Sequence, residues 1–206
     1  MGNSREKIKF MLLVTMLCCI QIILIMTPLG FIPIGLINIT TLHIPTILAG
    51  VLLGSKAGAI LGLTFGLGSF IRATVMPGPM SFLFSPFAPP LGDYYGNVWS
   101  LVIVFVPRIL LGVVSALIYR GLKNKSLTVV SSTITAILST IFHTVAVVSL
   151  IYIFFGSPYT EAIGQSGASL LTVLMAIFMT NGLLEVVLAA AIIPALVKVL
   201  EPMTKR

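Results

Sequence analysis

Residues 98–125 read VWSLVIVFVPRILLGVVSALIYRGLKNK, and the reading of this stretch decides the fold class. Its first 22 residues carry a single charge, Arg108, and a basic cluster of Arg120, Lys123 and Lys125 follows at once. At about 1.5 Å of rise per residue, a helix of that length covers the roughly 30 Å of a bilayer's hydrocarbon core. An apolar run closed by Lys and Arg is expected to be a transmembrane helix with its basic end in the cytoplasm.

The rest of the chain agrees. Of 206 residues, 58% are hydrophobic and only 8% charged, against roughly 25% charged in an average soluble domain. So few charges cannot cover a soluble surface, which excludes a soluble enzyme and a disordered segment. The net charge of +7 comes without a Lys/Arg stripe interleaved with aromatics, so it does not indicate a nucleic-acid partner. Cys18 and Cys19 are adjacent within the first apolar run. Helix neighbours point about 100° apart, so neither a disulfide nor a metal site is expected from them. The first run ends in Thr27, Pro28 and Leu29 instead of a small-residue cleavage site, and is expected to stay in the mature protein.

Punctuation by Pro, Gly and charge predicts an all-α integral membrane protein, a single membrane-embedded domain over 1–206 with six transmembrane helices. The spans are expected at about 8–26, 41–53, 57–75, 98–119, 127–155 and 169–197. The second is too short to cross perpendicular to the membrane, and the last two are long enough to tilt. Arg5, Lys7 and Lys9 precede span one, Lys56 separates spans two and three, and Lys198, Lys205 and Arg206 follow span six. Loops 27–40, 76–97 and 156–168 hold no Lys or Arg. The positive-inside rule therefore predicts a multi-pass protein of the cell membrane with both termini cytoplasmic. The extracytoplasmic loops are rich in Pro, Gly and aromatics, as in Phe82-Leu-Phe-Ser-Pro-Phe87, and are expected to cap an outward-facing pocket.

Gly54, Gly58, Gly62 and Gly66 recur every four residues, a small-residue stripe that lets a neighbouring helix approach closely. No long internal repeat is visible, which disfavours a secondary transporter built on inverted repeats. Nucleotide-binding, zinc and nucleophile motifs are absent from the sequence, and the acid–base groups are scattered. No enzymatic activity, cofactor or metal is expected.

Two basic residues lack a topological reason: Arg72 near the outer end of span three and Arg108 near the middle of span four. Polar groups inside spans are costly and are functional candidates by default. His43 starts span two, His143 is central in span five, and Asn181 and Glu185 share one face of span six. Arg108 and Glu185 lie at similar depth and are expected to form an ion pair. That would leave Arg72 free for an anionic ligand and make Arg108 mainly structural.

The strings Thr27-Pro-Leu-Gly-Phe-Ile-Pro-Ile-Gly35, His43-Ile-Pro45, Gly58-Ala-Ile-Leu-Gly-Leu-Thr-Phe-Gly66, Arg72-Ala-Thr74 and Pro107-Arg-Ile-Leu-Leu-Gly112 run through almost the whole chain. With the span pattern they resemble the substrate-binding S component of energy-coupling factor (ECF) vitamin transporters, most like the pantothenate branch. The resemblance implies a high-affinity subunit that captures a vitamin from outside. It implies docking on a transmembrane coupling (T) subunit, with two cytoplasmic ATPases driving release. Folate, pyridoxine or another vitamin remain alternatives for the substrate, and an autonomous secondary transporter is an alternative for the class. The family docks through small residues spaced by four on span one; here that face reads Met11, Thr15 and Cys19, a departure from alanine at each position. Family ligand contacts fall on His143 and Asn181, and the gate falls on the loop that holds Asn38. For pantothenate, Arg72 or Arg108 would hold the carboxylate, His143 and Asn181 the amide and hydroxyls, and Phe84 and Trp99 the apolar part, with His43 beneath the gate.

Overall fold

The computed structural model describes residues 4–34, 37–122, 127–162 and 169–204. Its elements in chain order are α1 (Ser4–Met26), a hairpin of β1 (Phe31–Ile34) and β2 (Ile37–Thr40), α2 (His43–Leu53), α3 (Ser55–Val75), α4 (Val98–Leu122), α5 (Thr128–Ala162), α6 (Leu170–Ile177) and α7 (Leu183–Thr204). Five helical stretches are long and apolar enough to cross a membrane, and α2 is a shorter apolar helix. The helices overlap the expected stretches, with α1 starting earlier, at Ser4, and α7 running on to Thr204, and three local features differ. The strands of the hairpin pair antiparallel with Phe31 opposite Thr40, where the sequence indicated only a loop. Helix α5 runs on to Ala162 but breaks its helical geometry at Phe155. A π-helical turn, Phe178–Gly182, joins α6 to α7.

Helix α2 is buried from His43 to Val51, which explains how an eleven-residue helix is kept from lipid: it is wrapped by its neighbours. What allows the wrapping is glycine. A Cβ on Gly58 of α3 would lie 2.2 Å from the carbonyl oxygen of Gly112 in α4, and one on Gly62 would lie 2.2 Å from that of Arg108. On α2, a Cβ at Gly50 would meet Ser115 Oγ at 2.1 Å. The stripe on α3 thus seats α4 backbone against backbone, and α2 closes on the same turn of α4. Gly54, between α2 and α3, has φ of 92°, a left-handed conformation that glycine adopts without a Cβ penalty.

Near the C-terminal end of α7, the Glu201 carboxylate accepts hydrogen bonds from Tyr119 of α4 and Thr128 of α5, both at 3.2 Å. Helix α1 is peripheral. It buries only Val14 and Gln21, and Gln21 Nε2 donates to the Leu42 carbonyl at 3.2 Å and to Thr46 Oγ1 at 3.0 Å. One polar anchor therefore holds α1 to the start of α2, while the opposite face, with Met11, Met16 and Ile20, is exposed.

The glycine contacts make a direct prediction. Gly58→Ala places a methyl group against the Gly112 carbonyl, which is main chain and cannot rotate away, so α3 and α4 must separate. Overpacking of this kind costs about 1–3 kcal/mol. Thermal unfolding in detergent should show that loss for Gly58→Ala and no loss for Gly121→Ala, where nothing lies within 4 Å of the added carbon. Equal midpoints for the two variants would refute the close-packing account.

Candidate functional site

The site starts with a defect in α4. Pro107 has no N–H, so the carbonyl four residues earlier, on Ile103, loses its helical partner. Arg108 fills the gap: its Nη1 donates to the Ile103 carbonyl at 2.5 Å. The guanidinium is thereby folded back along the helix, 5% exposed, and lies 5.4 Å from the ring centroid of Phe65 and 5.1 Å from that of Phe84. Two aromatic faces stabilise a buried cation in part. Its Nε has no hydrogen-bond partner among the described residues.

Beside it is a cavity of about 320 Å³ between α3, α4, α5 and the π-turn, roofed by the hairpin and the segment 76–84. Arg72, Arg108 and Glu185 are its charged residues, and His143, Asn181, Thr144 and Ser69 add polar groups. Val147, Val148, Ile151 and Ile177 form an apolar wall. Arg72 is half-buried and stacks on Phe31 of the hairpin, 4.8 Å from the ring centroid. His143 Nδ1 lies 3.4 Å from the Pro107 carbonyl, which can only accept, so the ring donates from that nitrogen. Asn181 sits inside the π-turn, a local widening of the helix of the kind often found at functional sites.

The expected pair of Arg108 with Glu185 does not form. Glu185 Oε1 instead accepts from the Thr40 amide at 2.8 Å and from Thr40 Oγ1 at 3.1 Å. The reason is the hairpin, which sequence reasoning did not foresee: the last residue of β2 is delivered directly to the carboxylate. Neither arginine has a carboxylate partner among the described residues, so Arg108 is not spent on a structural ion pair.

Of the candidate binding residues, Arg72, Phe84, Arg108, His143 and Asn181 come together in this cavity. Two are not brought there. His43 is fully buried at the start of α2, where Nδ1–H donates to the Thr40 carbonyl at 2.6 Å; it braces the hairpin from below. Trp99 is 46% exposed and stacks on Phe154 with ring centroids 4.1 Å apart. It lies nine residues before Arg108, and at about 100° per residue that is the opposite face of α4. Asn38 has its backbone in β2, opposite Pro33; its side chain lies outside the described residues.

Sequence reasoning missed Phe31, Thr40, Ser69 and Thr144. Ser69 is three residues before Arg72 on α3, and Thr144, Val147, Val148 and Ile151 continue the His143 face of α5, so the helical period could have extended the list. No local signal marks Phe31 or Thr40, whose roles depend on strand pairing. A second carboxylate also fastens the roof: Tyr94 in the loop before α4 donates to Glu161 at the end of α5. That hydrogen bond raises the Tyr94 hydroxyl above the usual tyrosine range and keeps it a donor.

Comparison with known proteins agrees with this architecture. Residues 9–197 match the profile of the family described as "ECF transporter, substrate-specific component". The Pantothenic acid transporter PanT of Lactococcus lactis subsp. cremoris (strain MG1363) is 41% identical over 163 residues, covering 77% of this chain and 78% of its own length. The Pantothenate transporter PanT of Leuconostoc mesenteroides subsp. mesenteroides is 27% identical over 211 residues, covering 98% and 97% respectively. An apolar helical bundle that encloses a small charged cavity, with a family match across nearly its whole length, is a transporter component and not an enzyme: the chain belongs to the ECF transporter substrate-specific component family.

Proposed function

We propose that this chain captures pantothenate from outside the cell and delivers it through an ECF importer. The observation that carries the reading is the charge of the cavity. Arg72 and Arg108 face one carboxylate, Glu185, which leaves one positive charge unmatched. Pantothenate is a monoanion with an amide, two hydroxyls and a gem-dimethyl group, and it supplies the missing negative charge. Folate carries two carboxylates and a broad ring system, and pyridoxine carries no carboxylate. The volume is at the small end of ligand cavities, roughly 300–1,000 Å³, which favours a compact ligand. The names of the two relatives support the same vitamin.

In this reading Arg108 is the carboxylate anchor, because a buried guanidinium without an anion is stabilised most by receiving one. Arg72, half-exposed and stacked on the hairpin, stands at the rim. The order expected from sequence is reversed because Glu185 is held by Thr40. His143 and Asn181 take the amide and a hydroxyl, Phe84 and the α5 wall take the gem-dimethyl group, and the hairpin with loop 76–97 forms the gate. The topology that goes with this function has six crossings, the hairpin side outward and both termini cytoplasmic. The α6, π-turn and α7 together make the last crossing.

The chain has no ATPase motif, and the reading includes a T subunit and two cytoplasmic ATPases as partners. It is supported by the exposed face of α1, where Met11, Thr15 and Cys19 line a shallow apolar depression. Small residues there allow close approach of a partner helix.

Two measurements test this. In titration calorimetry, Arg108→Gln should weaken pantothenate by about ten- to two-hundred-fold, the equivalent of a lost charge-assisted pair. Binding of the alcohol analogue, which lacks the carboxylate, should change little. Arg72→Gln should have the smaller effect; wild-type protein that binds acid and alcohol equally would sink the anchor. In cells, uptake should require co-expressed T and ATPase subunits. Thr15→Trp should abolish it while purified protein still binds; loss of binding would place Thr15 in the core instead of the docking face.

A further inference from the structure

The two residues at the base of the hairpin, Phe31 and Thr40, are cross-strand partners. Each is gripped by a charged residue of the cavity: Phe31 lies under the Arg72 guanidinium at 4.8 Å, and Thr40 donates twice to Glu185. Both Thr40 bonds fall on Oε1. Among the described residues Oε2 accepts none, although Glu185 is 8% exposed and lines the cavity. A carboxylate in a partly desolvated site favours a full set of donors. Arg108 and Arg72 do not supply one, so the open oxygen is left for whatever enters.

We propose that Glu185 is the residue that reads the ligand's hydroxyl and couples it to the gate. Oε2 accepts the hydroxyl while Oε1 holds Thr40, so ligand and hairpin are bound by one carboxylate and each favours the other. His143 and Asn181 account for the amide and one hydroxyl, and leave the second hydroxyl without a reader. A negatively charged acceptor reads it, because a ligand without that hydroxyl leaves the oxygen unsatisfied. The coupling continues below the hairpin. The Thr40 carbonyl accepts from His43, the first residue of α2, and the neighbouring Leu42 carbonyl accepts from Gln21 of α1. The hydroxyl contact rests on the pantothenate reading; the hold on Thr40 does not.

The test has two arms that separate these. The first uses no ligand: amide exchange at Thr40 is compared in wild type, Glu185→Ala and Glu185→Gln. Glu185→Ala should speed it by about ten-fold or more, and Glu185→Gln, whose amide oxygen still accepts, should stay near wild type. Unchanged exchange in Glu185→Ala overturns the latch. The second arm is calorimetry with pantothenate and with an analogue in which both hydroxyls are replaced by hydrogen. Removing the Glu185 charge would by itself tighten any carboxylate ligand, so the ratio of the two affinities is read, and not either alone. Wild type should prefer pantothenate by roughly ten- to hundred-fold. Glu185→Gln, isosteric and expected to fold, should shrink that ratio several-fold, and Glu185→Ala should shrink it further, to what His143 and Asn181 supply for the other hydroxyl. A ratio that survives both substitutions overturns the hydroxyl contact. Wild type that binds neither compound overturns the substrate reading and the hydroxyl contact with it, while the exchange arm still decides the latch.

Discussion

Pro107 takes one N–H out of the middle of α4, and the shape of the cavity follows from that loss. In a bilayer no water is at hand to satisfy the freed Ile103 carbonyl. The next residue supplies the donor, and the Arg108 guanidinium turns back along its own helix toward Phe65 and Phe84. The proline therefore does two things at once. It aims a buried cation, and it gives one of that cation's N–H groups a carbonyl acceptor on its own helix. The Pro107 carbonyl is also the nearest acceptor for His143, so α4 and α5 meet at the same defect.

A buried cation can be held this way only if the helices around it do not shift. Gly58 and Gly62 set α3 on the backbone of α4 around Gly112 and Arg108. Membrane helices gain nothing from hiding apolar side chains from lipid that is itself apolar, and close backbone contact replaces that driving force. The bundle is close-packed beneath the cavity, and the roof is held by fewer, polar contacts. There, two carboxylates on α5 and α7 each take a donor from a loop, Glu161 from Tyr94 and Glu185 from Thr40. Both contacts lie on the roof of the cavity and not in the glycine-packed core.

Most of the helical plan was readable directly. The runs around α1, α3, α4, α5 and α7, the short buried α2 and the glycine stripe all rest on composition and period, which are local properties. Arg72, Arg108, His143 and Asn181, which line the cavity, were readable as candidates for a related reason. A polar or charged group inside an apolar helix is expensive wherever the helix goes, so its presence alone raises the question of what it does. Trp99 misled because its residue type was weighed without its helical phase, which puts it opposite Arg108.

What only the tertiary structure decided is who satisfies whom. The partner of Glu185 is Thr40, 145 residues away in sequence, and it arrives by way of a hairpin whose strand residues carry no alternating pattern strong enough to announce pairing. Matching depth in the membrane made Arg108 a reasonable partner for Glu185, but depth leaves the helical azimuth and the loop contacts free. Hydrogen-bond partnership is settled within about 3 Å, a distance that sequence spacing constrains only inside one element. Composition and period thus determined a membrane bundle with charges buried in it. The packing of α3 on α4 and the folding of the hairpin over them determined which of those charges face the cavity.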